Sequence, residues 1–201
     1  MPAPTVRRHI QQGLRALLPL CAMLWALLLM PLVPQTAQAQ GVELATLQAS
    51  KSDGALNLDF VARVTLPKAV EDALLRGVPI YFVAEAQLYR NRWYWRDERV
   101  ARVSRSWRLA FQPLTNAWRV SLGGLNQTFP SMAEALATVS RSGGWKLVDL
   151  SQLDFDKSFY LEFSYRLDTT QLPGPMQFGL GGLGGQGDWA VGVSRTLRVE
   201  L

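Results

Sequence analysis

Apolar and polar residues alternate along most of this chain. Leu56, Leu58, Phe60, Ala62, Val64 and Leu66 recur at every second position, opposite Asn57, Asp59, Arg63 and Thr65. That period of two predicts a half-buried strand. A short, weakly alternating segment from Gln40 to Gln48 precedes it, with a turn at Lys51-Ser52-Asp53-Gly54. Ile80 to Tyr89 predicts another strand, and Asn91-Arg92 a hairpin tip. Between Trp93 and Phe111 the odd positions include Trp93, Trp95, Ala101, Val103, Trp107, Leu109 and Phe111. The even ones carry Arg96, Glu98, Arg102, Ser104, Ser106 and Arg108. The pattern predicts one long strand or two collinear ones, with tryptophans toward the core and one wet face. Further strands are expected from Trp118 to Leu122, Trp145 to Leu150, Phe159 to Leu167 and Trp189 to Leu201.

Two stretches break the alternation. Pro67 opens a brief helix with Val70, Ala73 and Leu74 on one face, and Gly77 closes it. Ser131-x-x-Glu134 is a capping box that starts a second helix running to about Ser140, with Gly143-Gly144 ending it. Many antiparallel strands with two short helices predict an all-β sandwich, with the immunoglobulin arrangement as its nearest form. A closed barrel is the alternative. No repeat or linker divides residues 40–201, which read as a single domain.

The first 39 residues have a different character. Arg7, Arg8, His9 and Arg15 form a positive leader, Ala16 to Val33 is almost wholly apolar, and Ala37-Gln38-Ala39 supplies a small-x-small cleavage pattern. This is expected to be a signal peptide cut before Gln40. The alternative is an uncleaved inner-membrane anchor helix, since roughly 17–25 apolar residues suffice to span a bilayer. Either way, the positive end stays inside and the remainder faces the periplasm. Cys21 lacks a good lipobox, because a bulky Leu stands where a small residue is needed.

The leader holds the only histidine and the only cysteine. A mature chain without them excludes a Ser-His-Asp triad, a cysteine nucleophile, a Cys/His zinc site and an internal disulfide. The full chain has 21 basic and 16 acidic residues. Removing Arg7, Arg8 and Arg15 leaves 18 against 16, a balance of +2 that does not mark a nucleic-acid binder. Gly179-Leu180-Gly181-Gly182-Leu183-Gly184 fits G-x-G-x-x-G literally, but a strand rather than a helix is expected after it, so it reads as a hairpin loop and not a dinucleotide site. No G-x-S-x-G or S-x-x-K motif is present. No metal site and no cofactor are expected. An enzyme would have to be a hydrolase working with carboxylates alone, such as Asp97, Asp154 or Asp156.

Several landmarks recur in a familiar order. Arg92-Trp93-Tyr94-Trp95-Arg96-Asp97-Glu98 precedes Gln112-Pro113-Leu114-Thr115-Asn116-Ala117-Trp118-Arg119-Val120-Ser121. After these come Ser131-Met132-Ala133-Glu134-Ala135-Leu136, then Leu167-Asp168-Thr169-Thr170-Gln171-Leu172-Pro173-Gly174-Pro175, then Asp188-Trp189. Over residues 41–201 this order resembles the exported proteobacterial family catalogued as domain of unknown function 4390. The chain departs from that family's pattern at Asn116-Ala117, where a basic or aromatic residue is usual, and at Trp118, where a tyrosine is. The resemblance implies an envelope protein and transfers no catalytic residue.

The most unusual surface feature is an arginine-aromatic stretch. Seven arginines lie between Arg90 and Arg108, interleaved with Trp93, Tyr94, Trp95 and Trp107. Guanidinium forks grip carboxylates and phosphates, and exposed aromatics anchor partners. Arg96, Arg102 and Arg108 are the expected charges of a binding site, with Trp93 and Trp95 as apolar anchors. The plain alternative is a two-faced strand whose arginines are solvated or paired with neighbouring acids. The expected function is a non-catalytic periplasmic domain that binds an envelope protein. A carbohydrate- or anionic-lipid-binding module at the cell wall or membrane surface is the other expectation.

Overall fold

The computed structural model describes residues 41–94, 96–171 and 191–200. The leader, Trp95, the glycine-rich segment and Trp189 lie outside the described residues, and with them the expectations placed there. Nine strands occur among the described residues: β1 (Val42–Ser52), β2 (Ala55–Val64), β3 (Ile80–Arg90), β4 (Glu98–Gln112), β5 (Ala117–Leu122), β6 (Leu125–Phe129), β7 (Arg141–Asp149), β8 (Phe159–Leu167) and β9 (Gly192–Val199). Two helices interrupt them, α1 (Lys68–Leu75) after β2 and α2 (Met132–Val139) after β6.

The strands form two antiparallel sheets, one of three in the order β1-β2-β7 and one of six in the order β6-β5-β4-β3-β8-β9. This is an all-β sandwich and not a barrel. Labelled from A in chain order, the small sheet is A-B-E and the large one G-F-C-C′-C″, the strand order of an immunoglobulin variable-type sandwich. One strand departs. The D strand of that arrangement returns beside E, whereas β6 stays hydrogen-bonded to β5 on the large sheet.

Period-two patterning explains which faces meet. Ile80, Phe82, Ala84, Ala86 and Leu88 of β3, and Phe159, Leu161, Phe163, Tyr165 and Leu167 of β8, are all buried, while their alternate neighbours are at most half-buried. From the small sheet, Phe60 enters the aromatic centre, its ring 4.9 Å from Phe163, 5.6 Å from Tyr165 and 6.1 Å from Trp107. Each such pair adds about 0.5–1.5 kcal/mol beyond area burial. The Tyr165 hydroxyl donates to the Val139 carbonyl at 3.0 Å, tying the end of α2 to β8. The capping box holds: the Glu134 N–H donates to Ser131 Oγ at 3.3 Å, and that hydroxyl donates to the Glu134 carboxylate at 3.1 Å.

Three elements differ from the alternation. β4 begins at Glu98, not Trp93, because Arg90 pairs with Glu98 and closes the hairpin there. Trp93 is therefore 93% exposed in the connecting loop rather than packed in the core. β6 carries too few buried residues to be recognised from pattern. Gly143-Gly144 does not end α2. The helix stops at Val139, and both glycines lie inside β7 where its register against β2 slips. The last strand is described from Gly192, so its expected start at Trp189 falls outside.

Candidate functional site

The arginine-aromatic stretch is split by the fold. Arg96 and Trp93 sit in the loop joining β3 to β4, with Tyr94, whose ring is 5.1 Å from that of Trp93 in an edge contact. The base of this loop is fastened. Arg90 and Arg92 both pair with Glu98. The Asp97 carboxylate accepts from the Arg92 N–H at 3.0 Å and from the Tyr160 hydroxyl at 2.8 Å. Those hydrogen bonds hold the Asp97 carboxyl below its usual range, and burial together with Asp97 pushes Tyr160 up to about 12. Arg102 lies mid-strand on the outer face, in an ion pair with Glu85 at 3.0 Å. Arg108 is on the same outer face, six residues further along, about 20 Å away at strand rise. The five expected site residues therefore do not converge on one pocket: Trp93 and Arg96 share the loop, Arg102 and Arg108 stand apart, and Trp95 is outside the described residues.

Arg105 is the arginine that the alternation should have singled out. It occupies an odd position, in register with Ala84 and between Val103 and Trp107, so its side chain enters the space between the sheets. There its Nη1 donates to Ser142 Oγ at 2.6 Å, and its guanidinium carbon lies 5.1 Å from the centre of the Trp145 ring. No carboxylate lies within ion-pair distance of it among the described residues. Burial lowers its pKa from the ordinary arginine value. None of its nitrogens is both buried and unpartnered, so the remaining donors open into solvent.

They open into a cleft of about 710 Å³. Its origin is the unequal width of the sheets. β1 packs beside β9 and β7 against β4, so β5 and β6 project past the free edge of β7. Helix α2 covers part of this overhang. The rest is bare: Leu125 faces inward by register with Leu122, yet is 74% exposed. Trp107, Val120, Leu122, Leu125 and Phe129 give the cleft an apolar floor. Thr46, Gln127 and Thr138 add uncharged polar groups, and Arg141 a second cation. Asp59 is the one carboxylate among the lining residues, and it is engaged by the Gly144 N–H at 2.8 Å and the Ser50 hydroxyl at 3.3 Å.

The other candidate carboxylates are structural in their contacts. Asp154 accepts from the Asp156 N–H at 3.3 Å in a turn. Asp168, at the end of β8, accepts from Thr170 and Gln171. Among the described residues, no cluster of three or more His, Cys, Asp or Glu side chains is placed to hold a metal. No helix among them is long and apolar enough to cross a membrane.

A family model, described as a domain of unknown function, DUF4390, matches residues 39–197. No curated protein and no solved structure matches the chain.

Proposed function

The chain belongs to the DUF4390 family, and from that premise we propose that it is a non-catalytic binding module of the cell envelope that engages a partner protein through the cleft beside β7. One observation carries this reading: Arg105 places an unpaired guanidinium above an apolar floor that the small sheet leaves bare. A charge held partly out of water without a counter-ion favours a ligand that brings a carboxylate. The floor favours apolar side chains beside that carboxylate, since covering it removes about 25 cal/mol per Å² of exposed apolar surface. Thr46, Gln127 and Thr138 suit the backbone amides of a protein segment better than a lipid chain. An acyl chain in an open cleft would remain wet along one side. A single, already engaged carboxylate in the cleft also argues against a two-carboxylate hydrolase, which needs a facing pair.

The exposed Trp93 and Tyr94 beside Arg96 favour a second reading, attachment to a glycan or anionic lipid surface. The deciding experiment is a cross-linked pull-down of tagged full chain from its own cell envelope, with proteins and lipids identified by mass spectrometry. Arg105→Met and a Trp93→Ser/Arg96→Ser double variant run alongside. One protein enriched with wild type and lost with Arg105→Met supports the cleft. Recovery of only lipid or glycan, lost with the double variant, replaces the first reading with the second.

A further inference from the structure

The outer face of the large sheet holds a separate pair of arginines. Arg108 of β4 is in register with Ser121, and Ala110 with Arg119 of β5, so Arg108 and Arg119 are diagonal neighbours, about 7–8 Å apart at the backbone. Both are half-buried. Neither has an ion-pair or hydrogen-bond partner among the described residues. The Nε of Arg119 is, among the described residues, the one buried side-chain nitrogen or oxygen without a hydrogen-bond partner. Two cations side by side repel, and a buried N–H with no acceptor costs about 1–3 kcal/mol. Both costs disappear if an oxyanion sits between the forks.

The surroundings fit such a ligand. Arg108 and Arg119 line a pocket of about 400 Å³ together with Ala110, Phe111, Pro113 and Leu114. No acidic residue lines it. The nearest outer-face acid along β3, Glu85, is taken by Arg102. This pocket lies on the face opposite Arg105, because positions 105 and 108 have opposite parity on one strand. It therefore stands independently of the cleft.

We propose that Arg108 and Arg119 form a binding site for a phosphoryl group, either free phosphate or the phosphate of a small ester or lipid headgroup. A phosphate dianion matches two positive charges and has enough oxygens to accept from both forks, including the Arg119 Nε–H. Pro113 and Leu114 then flank whatever organic group the phosphate carries.

The test follows the arginine side-chain Nε–H resonances by NMR in protein purified from cells expressing the full chain. Inorganic phosphate, acetate, and dihexanoyl phosphatidylglycerol below its micelle concentration are titrated separately. Phosphate is expected to produce a saturable downfield shift of the Arg119 Nε–H, with acetate at least tenfold weaker. Arg108→Gln should weaken phosphate at least tenfold, while Arg102→Gln, on the same face but already paired, should leave it unchanged. Unaltered thermal unfolding of both variants excludes misfolding as the cause, and Arg108→Lys provides a milder change if the glutamine variant unfolds. Saturable binding of the short lipid at lower concentration than phosphate makes a headgroup the source, and binding of phosphate alone makes the source a soluble phosphate. No saturable phosphate shift, equal response to acetate, or an Arg108→Gln protein that binds like wild type overturns the site.

Discussion

Arg105 Nη1 donates to Ser142 Oγ at 2.6 Å, linking the middle of the large sheet to the first residues of the outermost strand of the small one. The bond bridges the sandwich at the point where β7 ends the small sheet and the floor of β5 and β6 is left open. An inward arginine would be costly in a closed core. Here its donors reach water, and its stem and plane pack on Trp145.

Replacing Arg105 by Met should therefore separate folding from binding. The substitution keeps the packed stem, removes a partly desolvated charge and loses one hydrogen bond. These effects oppose each other, so urea unfolding is expected to change by no more than about 1 kcal/mol in either direction. Capture of the envelope partner should be lost. A loss of several kcal/mol would show that Arg105 is a structural bridge first.

Tyr165→Phe removes the hydroxyl that caps the Val139 carbonyl at 3.0 Å inside the core. Burial holds this phenol neutral far above the usual tyrosine range. The variant should be destabilised by about 1–3 kcal/mol, the cost of a buried acceptor left unpaired. Denaturant unfolding that coincides with wild type would mean that the carbonyl finds another donor.

Asp168 is a test of acid stability. Burial pushes its carboxyl up, but hydrogen bonds from the Thr170 hydroxyl at 2.6 Å and Gln171 at 2.7 Å, with the Thr170 N–H and the Arg166 charge, pull it further down. The net result is below the ordinary 3.8. A carboxyl depressed by folding contributes stability that is full above its unfolded value and lost as the pH falls through its folded one. Asp168→Asn should be less stable than wild type near neutrality, and the gap should shrink only below about pH 4. A gap that is constant down to pH 2 would show that the charge contributes nothing.

The Tyr160 phenol is pushed up to about 12, by burial first and by its hydrogen bond to Asp97 second. Asp97→Asn should lower that value without returning it to 10, because burial remains. Spectrophotometric titration of the phenolates, compared with Tyr160→Phe to assign the step, reads the change. The same substitution keeps one amide oxygen to accept the Arg92 N–H and turns the NH2 group toward the Tyr160 hydroxyl, so amide exchange at Arg92 should change little. A Tyr160 step unmoved in Asp97→Asn would show that Asp97 contributes nothing to the shift.

Much of the fold was legible in local pattern. The parity of β4 placed Arg102, Ser104, Ser106 and Arg108 on one face and Trp107 and Leu109 on the other, as observed. The inward sets of β2, β3 and β8 and the Ser131 cap were equally plain, because alternation and capping are decided by residues a few positions apart. The same parity puts Arg105 inward, although the sequence reading grouped it with the surface arginines. What it meant was hidden, since an inward arginine lies in a core or in a cleft according to where the opposite sheet stops.

Long-range pairing decided the rest. Trp93 looked like a core tryptophan, but strand β4 starts where Glu98 meets Arg90, and the loop before it is held by Tyr160, 63 residues from Asp97. β6 was invisible because a strand whose inner face is uncovered has no buried period to read. The pairing of β6 with β5, and not with β7, made one sheet wide and the other narrow. Sequence alone determined which residues face which side of each strand, because side-chain direction is a property of the local backbone. Tertiary structure alone decided how far the two sheets overlap, and so which of those faces are core and which are open to solvent, because overlap depends on hydrogen bonds between strands far apart in the chain.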